Sequence, residues 1–243
     1  MIKYIIENSY SGLLTAVFNK YKDNDSEIEI ISNISNYSFL DSVKSIKCDT
    51  QKALRVDKKL KTILKPINYK GIKTALKSGC EDKYTIIFNY ICEVINVESD
   101  VTDNFNNSNV FKYNELLSKI KLEVHRFTGF IRFNLLKNDI YYAKFNPDND
   151  ICELLLPHFI KRFPLMKFVL HDENHNVLSA YDGKHSKTVK AYFKLNQKLD
   201  SLGKLFKTYC ESVTIKERKN LKLMKNYMPK RYHINAPEKD ELL

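Results

Sequence analysis

Two spacings of apolar residues alternate along the first hundred positions of the chain. Short apolar runs predict strands, and they occur in IKYIIE, SEIEIIS and KSIKCD. Apolar residues at helical spacing occur in YSGLLTAVFNKY, QKALRVDKKLKTILK, IKTALKSG and DKYTIIFNYICEVINV. Pro66 ends the second of these helices, and Gly79 separates the last two. The pattern therefore predicts a mostly helical first part with a few short strands.

An asparagine-rich segment, VTDNFNNSNV, separates this part from a second run of elements. The predicted helices are NELLSKIKLEVHRFTG, closing at Gly129, ICELLLPHFIKRF behind an Asp-Asn-Asp cap, KLDSLGKLFKTYCESV and ERKNLKLMKNYM. The predicted strands form two hairpins, FIRFNLL with IYYAKFN and MKFVLH with NVLSAYDG, and HSKTVKAYF adds a fifth strand. The resulting order is ββα-ββ(β)-αα, in which we expect consecutive strands to pair antiparallel.

These elements predict an α+β protein, and the 243 residues are enough for two cores. We place an N-terminal α+β, mostly helical domain at residues 1–108. A C-terminal α+β domain, built of an antiparallel sheet and helices, follows at residues 109–243.

Charge distinguishes the two halves of the chain. Residues 1–112 hold 16 Lys/Arg and 14 Asp/Glu, whereas residues 113–243 hold 24 and 15. Within the second half, residues 184–231 hold 14 Lys/Arg against Asp200, Glu211 and Glu217 only. A segment with so many cations is suited to binding a nucleic-acid backbone, because each phosphate that it neutralises releases a counterion. The alternative is a lysine surplus from an AT-rich genome, against which the asymmetry between the halves argues.

Several classes of protein are not supported by the sequence. No apolar run approaches the ~20 residues of a membrane span, and MIKYIIENSYSG lacks the long apolar segment of a signal peptide. We therefore expect a cytoplasmic protein with no membrane contact. The five cysteines are scattered and no phosphate-binding glycine loop, GxSxG or HExxH occurs. His171 and His175 have a ligand-like spacing but lie in a predicted hairpin turn, so we expect no metal there.

Two groups of residues are candidates for a functional site. The first is a cationic pocket for a phosphate or carboxylate, made of His125, Arg126, Arg132, His158 and Arg162. His158 and Arg162 lie four apart on one helix, so both can face the same way. The alternative is a structural ion-pair network in which Glu123 or Asp150 neutralises a buried arginine.

The second group lies in the basic segment near the C-terminus. The candidate nucleic-acid-binding residues are Lys204, Lys207, Arg218, Lys219, Lys222, Lys225, Lys230, Arg231 and Tyr232. Aromatic residues are interleaved with these cations, namely Tyr192, Phe193, Phe206, Tyr209, Tyr227 and Tyr232. Such rings either stack on the bases of a single strand or belong to the core, and the spacing leaves both open.

The sequence resembles a bacterial family of DNA metabolism proteins that is linked to a radical-SAM partner. The resemblance covers nearly the whole chain and rests on SYSGLLTAVFNKY, KALRV, EVHRFTGFIRF, YYAKFNPDNDI, LLPHFIKRFP and ERKNLKLMKNYMPKRYHINAPE. The family usually has tryptophans where this chain has Phe168, Tyr181, Phe206 and His233. Most of these positions stay aromatic, which implies packing roles. The C-terminal domain of the family, of unknown function, also occurs fused to uracil-DNA glycosylase-like domains.

The resemblance implies an accessory role in DNA repair or modification, with DNA, single- or double-stranded, and the radical-SAM protein as partners. A uracil-DNA glycosylase-like enzyme would be a further partner. S-adenosylmethionine and an iron–sulfur cluster are expected in the radical-SAM partner, and no cofactor is expected in this chain. Two alternatives stay open, a nucleic-acid-processing enzyme with the His/Arg pocket and a scaffold that does not bind DNA. We expect Arg231 and Tyr232 to lock the C-terminus against the ERKN segment.

Overall fold

The computed structural model describes residues 2–23, 28–31, 42–136 and 139–192, together with five single positions, Ser212, Asn220, Lys222, Asn226 and Tyr232. The chain forms two compact units, Met1–Ile120 and Lys121–Leu243. The predicted α+β class is confirmed, with a parallel three-stranded sheet in the first unit and a mixed five-stranded sheet in the second.

The first unit begins with a parallel sheet of order β2-β1-β3. Its elements in chain order are β1 (Ile2–Ile6), α1 (Tyr10–Asp23), β2 (Ile28–Ile31), β3 (Ser42–Ile46), α2 (Thr50–Ile63), α3 (Pro66–Ala75), α4 (Lys83–Val97) and α5 (Ser108–Phe130), the last of which continues into the second unit. The predicted strand KSIKCD begins earlier than expected, at Ser42. Tyr4 of β1 is fully buried, as are Leu13 of α1 and Phe88 of α4.

Helix ends in this unit follow from short polar side chains. Ser9 Oγ accepts from the Gly12 amide at 3.0 Å, and a Cβ at position 12 would collide with the Glu7 carbonyl. Asp49 caps α2, because its Oδ1 accepts from the amides of Gln51 and Lys52. Asn107 caps α5 in the same way through the amides of residues 109 and 110. The segment VTDNFNNSNV, predicted to be a loop, therefore supplies the start of α5.

A pair of stacked tyrosines lies in the core of the first unit. The rings of Tyr90 and Tyr113 are 3.7 Å apart and nearly parallel. The Tyr90 hydroxyl is 2.6 Å from Thr102 Oγ1, whereas the Tyr113 hydroxyl is buried with no hydrogen-bond partner among the described residues. A Cβ at Gly71 of α3 would lie 2.9 Å from that hydroxyl oxygen. Gly71 is therefore the residue that lets α3 approach the tyrosine.

The second unit is built on a mixed sheet of order β4-β5-β6-β7-β8. Its elements after α5 are β4 (Asn134–Leu135), β5 (Ile140–Phe145), α6 (Cys152–Arg162), β6 (Lys167–Asp172), β7 (Val177–Tyr181) and β8 (Ser186–Lys190). Both predicted hairpins and the fifth strand are confirmed, since β4 with β5, β6 with β7, and β7 with β8 pair antiparallel.

One pairing of this sheet differs from the wholly antiparallel prediction. Strands β5 and β6 are consecutive but parallel, with Ala143 opposite Leu170. The reason is that α6 lies between them in the chain and returns it to the same end of the sheet, as parallel strands require. The predicted Asp-Asn-Asp cap of α6 is also wrong, because the cap position falls on Ile151, which makes no side-chain cap bond.

Aromatic rings join α6 to one face of the sheet. Phe159 of α6 lies 6.4 Å from Phe168 of β6, and Phe168 lies 5.4 Å from Tyr181 of β7. Phe133, just before β4, contacts both Phe159 and Phe168 edge to face. Cys152 is buried at the start of α6 beneath β6 and β7. Within the described ranges, no helix has the length and apolarity that crossing a bilayer requires. The two predicted helices near the C-terminus lie outside the described residues, except at single positions.

We predict that Gly71→Ala destabilises the first unit although alanine favours helices over glycine. The added methyl meets the Tyr113 hydroxyl at 2.9 Å on a fully buried, stacked ring that has no room to move. We expect a decrease of about 1–3 kcal/mol in the free energy of unfolding, measured by urea denaturation.

The control is Tyr113→Phe, alone and combined with Gly71→Ala. Removal of an unpaired buried hydroxyl is expected to be neutral or stabilising, and the double variant should recover most of the decrease. Additive effects of the two substitutions would contradict the proposed contact.

Candidate functional site

Exposed lysines line the last strand of the mixed sheet. Every residue of β8 is exposed, including Lys187 and Lys190, and Lys184 is exposed in the turn before it. Asp182 shapes this turn, because its Oδ1 accepts from the amides of Lys184 at 2.8 Å and His185 at 2.7 Å. These bonds lower the pKa of the Asp182 carboxyl. The start of the basic segment found in the sequence is therefore a surface strand with its cations in solvent.

A groove of about 540 Å³ lies beside this strand, on the sheet. We call it the sheet groove; its lining residues are Ile140, Lys167, Phe168, Val169, Ala180, Tyr181, Asp182, His185, Ser186 and Lys187. Val169 of β6 is opposite Ala180 of β7, which is opposite Lys187 of β8, so these three side chains lie in one row on one face. The groove thus combines an apolar floor with cations from two strands.

Lys184, Lys187 and Lys190 were not among the predicted nucleic-acid-binding residues, most of which lie outside the described residues, namely Lys204, Lys207, Arg218, Lys219, Lys225, Lys230 and Arg231. The same holds for Phe193, Phe206, Tyr209 and Tyr227 among the aromatic candidates. Lys222 is exposed. Tyr192, two residues after β8, is 84% exposed.

Tyr232 lies in the interior of the second unit, although the sequence pattern groups it with the nucleic-acid-binding candidates. It is 4% exposed, and its ring lies 4.7 Å from that of Phe127 on α5. Its hydroxyl donates to Glu123 Oε1 at 2.9 Å. The side chain therefore packs on α5, and its ring is not accessible to a base.

Glu123 itself is buried and accepts hydrogen bonds from three further donors. Asp148 N reaches Oε1 at 2.8 Å, and Asn149 N and Nδ2 reach Oε2 at 3.0 and 2.5 Å. A carboxylate with two oxygens can accept all four donors. Glu123, predicted as a partner for a buried arginine, is instead bonded to the loop after β5 and to Tyr232.

The residues of the predicted His/Arg pocket occupy the end of α5, the segment after it, and α6. His125, His158 and Arg162 are exposed, and Arg126 and Arg132 are half-buried. Arg132 Nη1 donates to the carbonyls of Gly129 at 2.6 Å and Ile131 at 3.3 Å. The His158 ring lies edge-on to Phe159, and Arg162 lies over Phe163. These contacts are local to each segment, and the shared pocket stays a prediction.

A buried acid–histidine pair at the β6–β7 connection is a feature that the sequence did not predict. Asp172 is completely buried, and its carboxylate accepts from His175 N at 3.0 Å and lies 2.7 Å from His175 Nδ1. Burial raises the pKa of Asp172, while the bond to Asp172 raises the pKa of His175, with Asp150 and Glu123 adding to the latter effect. Both shifts favour a proton held within the pair. The spacing of His171 and His175 in HDENHN draws attention to this segment of the sequence, but it does not indicate that Asp172 between them is buried.

The second histidine of this segment lies in β6 itself. His171 is 2% exposed, and its Nδ1 is 2.5 Å from the Tyr142 hydroxyl of β5. Burial lowers the pKa of His171, which favours the neutral ring. Across the described part of the chain, no three His, Cys, Asp or Glu side chains are arranged to hold a metal ion.

Comparison with protein families assigns the chain to a family through residues 81–238, which include the end of the first unit and most of the second. A family model described as a domain of unknown function, DUF4130, matches residues 81–238, well over half of the chain. The chain belongs to this family. The matched region contains α6 and all five strands of the mixed sheet, with Glu123, the Asp172–His175 pair and the sheet groove. A search of curated proteins finds no match.

We predict that Glu123→Gln destabilises the DUF4130 domain by about 3 kcal/mol. The amide that replaces one carboxylate oxygen would point its own N–H groups at N–H or O–H donors, and the burial of the site keeps solvent from relieving the conflict. Tyr232→Phe removes one donor only and should cost about 1.5–3 kcal/mol. Both are measured by urea denaturation.

The double variant is the control for this interaction. Because Tyr232 bonds directly to Glu123, the double variant should be less destabilised than the sum of the two single effects. Strict additivity would mean that the tyrosine hydroxyl and the carboxylate do not interact.

We also predict that the DUF4130 domain becomes less stable as pH rises through the pKa of His175. A histidine whose pKa is raised above 6.5 by folding stabilises the fold while protonated. This contribution is complete below the ordinary pKa and disappears as pH rises through the folded-state pKa. The free energy of unfolding should therefore fall as pH rises above about 6.5, the ordinary pKa of histidine.

The pH dependence should flatten in His175→Gln and persist in His158→Gln, which alters an exposed histidine. Chemical denaturation across the pH series measures both. Equal slopes in the two variants would remove His175 as the cause.

Proposed function

We propose that this protein is a DNA-binding accessory protein that works with a radical-SAM enzyme in DNA repair or modification. The observation that carries the proposal is the exposed basic strand β8. Lys184, Lys187 and Lys190 are exposed, and the stretch 184–192 contains no acidic residue. Lys187 and Lys190 are three residues apart and point to opposite faces of the sheet, so a phosphate backbone that follows this strand can neutralise both without the cost of burying a charge.

Among the strands that the structure describes, β8 is the last of its sheet, and this position supports the same proposal. Lysines at an edge strand are fully hydrated, so their contact with phosphate is governed by counterion release rather than by desolvation. Lys167 of β6 and Lys187 both line the sheet groove, which extends the cationic surface from the edge onto the sheet. Eight further cations of the 184–231 segment were predicted from the sequence to bind nucleic acid, and they add to the positive charge available for phosphate contact.

The partner side of the proposal rests on the family resemblance. The radical-SAM enzyme would carry the iron–sulfur cluster and S-adenosylmethionine, and this chain would bring DNA to it in the cytoplasm. A uracil-DNA glycosylase-like enzyme would act on the same DNA. A scaffold that binds the radical-SAM enzyme without DNA is separated from this proposal by the following experiment.

The test is fluorescence anisotropy with labelled single- and double-stranded DNA over a series of salt concentrations. Lys184, Lys187 and Lys190 are changed together to Gln. We expect salt-dependent binding by the unaltered protein. In the variant, the slope of log K against log salt should become shallower by about 0.7–0.9 for each phosphate that is no longer neutralised.

The matched control changes three exposed lysines of the first unit, Lys58, Lys65 and Lys70, to Gln. It removes the same net charge from the chain, so a purely global effect would weaken binding equally in both variants. Absence of salt-dependent binding to either DNA, with the protein folded, would overturn the proposal. Equal weakening by the two triple variants would remove β8 from the interface.

A further inference from the structure

We infer that the sheet groove receives a base of single-stranded DNA, so that the protein prefers single strands to duplexes. This inference rests on the proposed DNA binding and names the form of DNA that the site takes. It follows from the side chains that share the groove face of the sheet and from the charges at its rim.

Strand alternation sorts the groove residues into two faces. Phe168 and Tyr181 point toward α6, where Phe168 contacts Phe159 and the Tyr181 hydroxyl donates to the Pro164 carbonyl at 2.9 Å. Successive side chains of a strand point to opposite faces, so Val169 and Ala180 face the other way. On the groove face Val169 and Ala180 present small aliphatic side chains, and the buried Tyr142 of β5 lies opposite Val169.

The floor of the groove fits a flat apolar surface. Val169 and Ala180 are directly opposite on neighbouring strands, and Ala180 is exposed although it lies in the middle of the sheet. A methyl group at this position leaves a shallow gap over the strands, with Ile140 on the β5 side. The flat face of a nucleobase can pack on such an apolar floor, because the contact removes apolar surface from water, and it reads no base edge.

The rim of the groove supplies cations on both sides of that floor. Lys167 lies on β6 and Lys187 on β8, two strand spacings across the sheet and two residues along it, or about 12 Å apart. His185 adds a third basic side chain. The acidic residue of the lining, Asp182, is engaged by the amides of the turn and lies 3.7 Å from His185 Nδ1. Phosphates on either side of a seated base would therefore meet lysines.

Single strands and duplexes differ in which surfaces of a base a protein can reach. In a duplex the faces of the bases are stacked and only their edges are open to a protein. A flat floor flanked by cations can therefore use its apolar part on a single strand only, whereas a duplex would contact the lysines alone. Tyr192, 84% exposed just after β8, offers a stacking surface for a neighbouring base.

The experiment compares an ordinary single-stranded oligonucleotide with an abasic one of the same length, which has the same phosphates but no bases. Each is bound to the full chain and to Ala180→Leu at fixed salt, with a duplex as third ligand. We expect the unaltered protein to bind the ordinary strand about tenfold more tightly than the abasic strand. Ala180→Leu, which fills the groove without changing charge, should reduce this difference to the part that stacking on Tyr192 supplies, and should keep the duplex affinity.

Ala180→Ser, which keeps the side chain small, is the matched control and should retain the tenfold difference. Thermal unfolding checks that both variants fold. Equal binding of ordinary and abasic strands by the unaltered protein, or a full difference in Ala180→Leu, would overturn the inference. In either case salt-dependent DNA binding would still support the proposed function, whereas absence of all DNA binding would overturn the proposed function itself.

Discussion

The buried carboxylate of Glu123 is the interaction on which the second unit depends. Its two oxygens accept four hydrogen bonds, from the amides of 148 and 149, the Asn149 side chain and the Tyr232 hydroxyl. One side chain of α5 thus holds the loop that precedes α6 and a residue near the end of the chain. An ionised group at 4% exposure is stable only because its lone pairs are directed at donors.

Much of the fold follows from local patterns, and the departures have physical reasons. The spacing of apolar residues predicts α1, α2 and α4, the two hairpins and β8. It can do so because each of these elements buries one face, and the residues of the element alone determine which face that is. The parallel pairing of β5 with β6 depends on where α6 returns the chain, which no periodicity records. The Asn107 cap of α5 could not be predicted, because it lies in an asparagine-rich stretch whose composition is typical of loops.

The exposure of the charged strand in the candidate site could be predicted from the sequence. The hydrogen-bond partners of its buried polar side chains could not. A lysine-rich strand with no acidic residue is exposed for reasons visible in the sequence, and β8 is exposed. In the alternative of an ion-pair network, Glu123 or Asp150 was to neutralise a buried arginine. The donors to Glu123 are instead backbone amides, which nearly every residue carries, a nearby side-chain amide, and a hydroxyl 109 positions away. The burial of Tyr232 follows from that distant contact. Neither has a local signature.

The exposed edge of the mixed sheet has a consequence for solubility. Among the described strands β8 is the last of its sheet, so one row of its backbone amides and carbonyls is offered to any other extended chain. Lysines at 187 and 190 make two such edges repel each other, which disfavours edge-to-edge association. The same side chains that we propose for phosphate contact therefore also reduce aggregation. A bound polyanion would neutralise these lysines and so remove the repulsion between neighbouring copies on one strand of DNA.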